Sequence, residues 1–198
     1  MAYSLNPSAD SCYDGTTCLI NKFGIKDEQK LAEIEAHLTF AKAVMLEDLP
    51  IQGDFGFEHY KRIHEFLFSD LYEWAGKVRT VDISKKRTRF LEANAIEGVA
   101  AKCFGRVSEG CLEGLSRDEF ALEIATLYND INFIHPFREG NGRTQRIYFT
   151  QLIRHYGYDL DFSAVDTDEL MIATIKASQG VIDFLVDFFA ENILTIGE

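Results

Sequence analysis

The chain has 198 residues, the length of a single domain. Hydrophobic residues make up 46% of it, with 16 Phe and 8 Tyr against 3 Pro and 14 Gly, which excludes a disordered, collagen-like or low-complexity protein. Twenty basic residues stand against 32 acidic ones, a net charge of −12, so a protein built to neutralise nucleic-acid backbones is disfavoured. The charge is unevenly spread. Residues 1–76 carry 6 basic and 13 acidic side chains, residues 77–154 carry 13 and 10, and residues 155–198 carry 1 and 9. A positive middle between acidic ends keeps a small anionic ligand in play. Cys12, Cys18, Cys103 and Cys111 form no CxxC pair and have no histidine at zinc-ligand spacing, so free thiols in a reducing compartment are expected. Met1 to Ser11 has neither a basic start nor an apolar run, and no stretch approaches the about 20 apolar residues of a membrane span. A cytoplasmic protein with no membrane partner is the expectation.

Residues 1–26 are rich in Ser, Asn, Asp and Gly without a period, and read as an N-terminal arm packed on a single domain spanning 27–198. From Asp27 the pattern turns helical, with Leu31, Ile34, Leu38, Ala41 and Met45 on one face and Pro50 and Gly53 as the stop. A second helix is predicted from Phe57 to about Tyr72, with Tyr60, Ile63, Leu67 and Leu71 as its stripe and Gly76 as its stop. The segment from Lys77 to Phe90 differs in kind: β-branched Val78, Val81 and Ile83 precede a turn at Ser84-Lys85-Lys86, which predicts a short hairpin. Asn94 to Leu112 is predicted helical. Ser116 and Glu119 have capping-box spacing and start a stronger helix with Phe120, Ile124, Leu127 and Ile131 inside. Pro136 requires that helix to end near Ile134 or His135. Helical pattern resumes after Gly142 up to Gly157, again at Leu170–Ser178 behind Asp166 and Glu169, and last at Val181–Leu194. The sum is an all-α bundle of about seven helices carrying one small β-hairpin.

Between two strong helices lies His135-Pro136-Phe137-Arg138-Glu139-Gly140-Asn141-Gly142-Arg143-Thr144-Gln145-Arg146. Two glycines around an asparagine let successive N–H groups converge, and the next helix adds its unpaired N–H groups and positive dipole end, which together suit a phosphate. Arg143 and Arg146 share a helix face and can reach one polyphosphate. Glu139 would repel a bare phosphate but suits a bridging divalent cation such as Mg²⁺. His135 is the neutral-pH base of the loop. Taken singly each residue has an ordinary reading: the turn is a helix connection, the histidine a cap, the arginines a solvated face, and Glu139 an i,i+4 partner of Arg143. Their coincidence within twelve residues points to chemistry.

Residues 135–146 match without departure the signature of the Fic domain, HPFx(D/E)GNGRxxR, and the sequence resembles that family along nearly its whole length. Tyr13-Asp14-Gly15-Thr16 with Asn21-Lys22-Phe23-Gly24-Ile25 is similar to the arm of bacterial Fic toxins, and Leu71 to Arg79 is similar to their second conserved block. The resemblance implies a Fic fold and transfer of AMP from ATP to a Tyr, Ser or Thr hydroxyl of a target protein. It implies His135 as general base, Glu139 as Mg²⁺ ligand, Gly140, Asn141 and Gly142 as the anion hole, Arg143 on the β-phosphate and Arg146 on the γ-phosphate, with Phe137 as an anchor in the core. It places a target-binding flap at about 78–90, with Ile83, Ser84, Lys85, Lys86, Thr88, Arg89 and Phe90 the candidate contacts. Such a flap would take the target as an added strand. Lys77, Arg79, Lys85, Lys86, Arg87 and Arg89 against Asp82 make it positive, which suits an acidic target or protects an edge from aggregation.

Many Fic enzymes carry an internal inhibitory helix, S/T-x-x-x-E-G/N. Here the residues four before Glu97, Glu109, Glu113, Glu139 and Glu191 are Ala93, Gly105, Glu109, His135 and Asp187, so the pattern is absent. A separate small antitoxin supplying a glutamate to Arg146 is therefore expected. The nearest rival within the family is a kinase resembling the Doc toxin, which typically has Lys where this chain has Gly142. A non-catalytic nucleotide-responsive module is the reading from another class; His135, which phosphate binding does not need, argues against it. Direct nucleic-acid binding is disfavoured by the acidity and the lack of a long basic face.

Overall fold

The computed structural model describes residues 4–5, 11–85 and 88–195. In chain order the elements are β1 (Ser4–Leu5), α1 (Glu28–Asp48), α2 (Phe57–Phe68), β2 (Ile83–Lys85), β3 (Thr88–Arg89), a 3-10 turn (Ala93–Ala95), α3 (Ile96–Ser108), α4 (Arg117–Ile134), α5 (Asn141–His155), β4 (Tyr158–Asp159), α6 (Thr167–Ala177), α7 (Asp183–Asn192) and β5 (Leu194–Thr195). Seven α-helices among the described residues match the expected bundle. No described helix is long and apolar enough to cross a membrane.

Local chemistry sets most boundaries. Asp27 caps α1 by accepting from the Lys30 N–H, and Asp166 caps α6 by accepting from Asp168 and Glu169. The Ser116–Glu119 capping box is formed in both directions. Pro136 disfavours helical geometry at His135, which adopts a left-handed conformation (φ 45°, ψ 61°) and ends α4. The core centres on α4, which packs against α3, α5 and α7, while α5 also packs on α2. Phe120, Ile124, Leu127 and Ile131 are buried as the helical period requires.

The structure departs from the expectations, or adds to them, in several places. The inward face of α1 runs through Leu31, Glu35, Thr39 and Leu46, whereas Ala41 and Met45 are exposed; two polar groups face in because they meet an arginine described below. α2 stops at Phe68, and Gly76 (φ 75°) instead closes the following turn, its N–H donating to Nδ1 of His64. The expected hairpin is present as β2 and β3, and β1 from the arm adds a third strand, pairing antiparallel with β2, Ser4 opposite Ser84 and Leu5 opposite Ile83, to give the order β1-β2-β3. A second antiparallel pair, β4 with β5, joins the end of α5 to the C-terminal segment. These short pairings lacked a legible alternation because each spans only two residues. The turn expected at Ser84-Lys85-Lys86 is displaced, because Ser84 and Lys85 belong to β2, paired with Arg89 and Thr88; Lys86 lies outside the described residues.

Within the arm, Asn21 organises the chain. Its Oδ1 accepts from the Phe23 and Ile25 N–H groups and its Nδ2 donates to the carbonyls of Leu19 and Ile25. The Lys22 N–H donates to Leu71 C=O, tying the arm to the end of α2's turn.

Candidate active site

The loop from His135 to Gly140 is held from three sides. Phe137 is fully buried, stacked on His64 (centroids 3.7 Å apart) and Tyr60 (5.5 Å). Asn141, 1% exposed, accepts the Phe137 N–H at 2.8 Å through Oδ1 and donates Nδ2 to the Phe137 C=O at 2.7 Å. Its side chain is committed to the loop, so what Asn141 presents to a ligand is its backbone N–H in the first turn of α5. Nδ1 of His64 accepts from Gly76, so Nε2 carries the hydrogen and donates to the Glu139 C=O at 3.0 Å. Three aromatic or amide side chains thus fix the backbone on which the signature residues sit.

Gly140 starts α5 at φ 80°, and a Cβ there would lie 2.2 Å from the buried Phe68 ring; the packing demands glycine. Gly142 is different. A Cβ there would meet only Arg146 Nη1 at 3.6 Å, so nothing in the protein itself excludes a side chain.

Arg143 lies over the Phe68 ring, 4.8 Å from its centre, and is clamped by α1: Nη2 to Glu35 Oε1 at 2.5 Å and Nη1 to Thr39 Oγ1 at 3.2 Å. Glu139 Oε1 stands 3.6 Å from Nη2, the nitrogen that also meets Glu35, so the expected i,i+4 pair is also present. The other oxygen of Glu35 accepts from the Tyr72 hydroxyl. Arg146, by contrast, is half-buried with no ion pair or side-chain hydrogen bond among the described residues. The loop therefore presents one preset guanidinium and one uncommitted one, three residues apart on one face.

Burial pushes the Glu139 carboxyl above its ordinary range; the Gly140 N–H opposes this, Glu35 adds to it, and Arg143 and Lys85 counter it. A carboxylate crowded by a second carboxylate is a hard oxygen donor that a divalent cation would relieve, so the donor chemistry fits Mg²⁺.

At the other end of the loop, Nδ1 of His135 lies 3.0 Å from the Asn132 C=O, and only a protonated nitrogen can face a carbonyl. The Nδ1–H tautomer is thereby fixed and the lone pair is at Nε2. Phe90, at the end of β3, stacks on the imidazole at 3.7 Å and 13°. Burial pushes His135 down to about 3, with the Asn132 bond opposing and Arg79 and Lys85 reinforcing; burial pushes His64 down to about 3 as well. Both are neutral at pH 7. An unfolded histidine binds its proton near pH 6.5, so acid favours unfolding: stability is full above that value and falls as pH drops towards 3. From pH 7 to pH 5 the loss should be about 2 kcal/mol per histidine, read as a lower urea midpoint. An unchanged midpoint over that window would mean that neither ring is held neutral.

The flap stands beside this histidine. Ile83 is buried, Ser84, Thr88 and Phe90 are half-buried, and Lys85 and Arg89 are exposed; Lys86 is outside the described residues. Arg79 does not add to the flap's positive face, being 4% exposed and turned inward. Arg138, the variable residue of the signature, reaches the arm, with Nε donating to Ser11 Oγ and Nη2 to Cys12 Sγ. Sequence reasoning missed Glu35, Thr39, Tyr72, His64, Arg79 and Asn132. The signal at Glu35 and Thr39 was there, as polar residues four apart in phase with Leu31.

A neutral imidazole at the end of one helix, a glycine-rich start of the next that carries two arginines, and a β flap stacked on the imidazole through Phe90 thus lie together in a helical domain. Residues 54–153 match the Fic/DOC family model, and the chain belongs to that family. It is 36% identical over 179 residues to "Protein adenylyltransferase VbhT" of Bartonella schoenbuchensis, covering 90% of this chain and 37% of that protein. It is 37% identical over 171 residues to "Probable protein adenylyltransferase y4lH" of Sinorhizobium fredii, covering 85% and 88%. The chain thus spans little more than a third of the first and most of the second. Among solved structures it is similar to BepC of Bartonella tribocorum with bound AMPPNP (29% identity, TM-score 0.85, 94% of this chain and 97% of that one). It is also similar to the N-terminal Fic domain of a Bartonella quintana Bep effector with bound ADP (30%, TM-score 0.86, 94% and 95%).

Proposed function

We propose that this protein is a protein adenylyltransferase that moves AMP from ATP to a Tyr, Ser or Thr hydroxyl of a target protein. The observation that carries the reading is the bond from His135 Nδ1 to Asn132 C=O, which leaves a basic lone pair at Nε2 beside a phosphate-ready loop. Binding alone needs no such base.

Nε2 takes the proton of the target hydroxyl as its oxygen forms a bond to the α-phosphorus; the bond from that phosphorus to the bridging oxygen breaks, and pyrophosphate leaves. The N–H groups of Asn141 and Gly142 receive the negative charge on the phosphate oxygens, and the bare Cα of Gly142 lets them come close. Arg143, already oriented by Glu35 and Thr39, meets the β-phosphate, and Arg146 the γ-phosphate. Glu139 would hold Mg²⁺, which when bound neutralises charge between neighbouring phosphates.

The target adds as a strand at the flap. The outer edge of β2 is taken by β1, whereas β3 runs directly into Phe90 and hence to His135, so β3 is the docking edge. Slowed amide exchange at Thr88 and Arg89 on target binding checks this. The uncommitted Arg146 supports regulation from outside, by an antitoxin that lays a glutamate on it, with the chain as the toxin of a cytoplasmic pair.

The deciding measurement uses ATP labelled at the α- or the γ-phosphate with cell lysate. Label on protein from the α-position only is expected. Label from the γ-position only would establish the kinase reading instead, and no label from either would leave a nucleotide-binding module.

A further inference from the structure

Arg79 is a buried arginine whose guanidinium donates to carbonyls from two separate parts of the fold. Nε donates to His135 C=O at 2.8 Å and Nη2 to Ile134 C=O at 3.4 Å, both at the end of α4. Nη1 donates to Val81 C=O at 2.7 Å and Nη2 to Leu91 C=O at 2.5 Å, the two ends of the flap. Its backbone N–H donates to Pro136 C=O at 2.9 Å, and next to it Leu91 N–H donates to Phe133 C=O at 3.0 Å.

The terminal carbonyls of α4 lack helical partners, and a cation there also meets the negative end of the dipole. That need would be met by any cap. A hairpin needs its two ends held together, and this would be met by any link between Val81 and Leu91. One side chain does both, which requires the planar fork of five donors that arginine has and lysine lacks. Consequently the height and tilt of the flap are referenced to the backbone of His135. The reference reaches the imidazole itself, because Phe90, the residue before Leu91, stacks on it at 3.7 Å.

Resting on the adenylyltransferase reading, we propose that Arg79 is a positioning residue that sets the target-docking flap against the catalytic base. It touches neither nucleotide nor target, and acts on the distance between the presented hydroxyl and Nε2. A misplacement of about 1 Å at a reacting centre is enough to slow transfer by about a hundredfold.

The test is Arg79→Lys, which keeps the charge and removes the fork. Three quantities are read: initial rate of α-label incorporation into lysate protein, affinity for AMPPNP, and amide exchange across 81–91. The expected result is a rate at least tenfold lower, AMPPNP affinity within twofold of wild type, and faster exchange in the flap. Wild-type rate, or a fall in AMPPNP affinity matching the fall in rate, overturns the proposal. If R79K does not fold, Asp82→Ala asks the same of the flap from the exposed side, by removing the Oδ1 that accepts the Ala93 N–H at 2.8 Å. Faster flap exchange in D82A with an unchanged rate would overturn it too, because flap placement would then not matter. If the wild type itself labels no protein, the adenylyltransferase reading falls, while the exchange comparison still reports whether Arg79 holds the flap.

Discussion

Replacing His135 with alanine is expected to lower α-label transfer by about 10²- to 10⁴-fold, the usual worth of a positioned general base, with AMPPNP affinity little changed. The residue is left-handed at φ 45°, which alanine tolerates poorly, so His135→Asn is the companion variant: asparagine accepts that conformation but is not a base. Equal loss in both variants, with a normal melting curve for H135N, assigns the effect to the base. Transfer by H135N at the wild-type rate would remove His135 from the chemistry. Because burial holds the wild-type ring neutral well below pH 6.5, the acid limb of the transfer rate should also lie below the ordinary histidine range.

The second large effect is expected at Gly140. Alanine there combines a left-handed backbone at φ 80° with a Cβ 2.2 Å from Phe68, a ring that is fully buried and carries Arg143 on its face. Backbone strain and overpacking together should cost about 2–5 kcal/mol, a fall in Tm of about 5–15 °C for a chain of this length. Gly142→Ala is the control, two residues away. It sits in the helix, and a methyl there would make only an ordinary van der Waals contact with Arg146 Nη1 at 3.6 Å, so stability should hold or rise by about 0.4–1 kcal/mol, while transfer falls because the new methyl occupies the approach of the phosphate. The two variants would thus separate a glycine required by packing from one required by a ligand. A G142A protein as active as wild type would show that no phosphate approaches there.

Much of this site could be read from residues alone because its parts are contiguous. His135, Glu139, Gly140, Gly142, Arg143 and Arg146 lie within twelve positions, and a turn between two helices necessarily brings them together. The roles of neighbours within the loop were less legible. Asn141 reads as an anion-hole residue, yet its side chain is bonded to Phe137, a loop-closing task that only the folded backbone reveals. Likewise the apolar period of α1 hid its function, since hydrophobicity ranks Ala41 and Met45 above Glu35 and Thr39, and only the approach of Arg143 turns the polar pair inward.

Periodicity, capping and contiguous motifs act within one or two turns of chain, so the helical architecture, the caps, the excess of cations in residues 77–154 and the signature loop are legible in the residues alone. Contacts that join distant segments emerge only in the folded molecule. Glu35 meets Arg143 across 108 residues, Arg79 meets His135 across 56, and β1 near the N-terminus closes on β2 in the middle of the chain. Such contacts depend on how helices pack, and packing is selected by the whole core at once rather than by any local pattern. In that sense the positive middle segment is two things: exposed charge at Lys85 and Arg89, and a buried guanidinium at Arg79 that holds the flap in place.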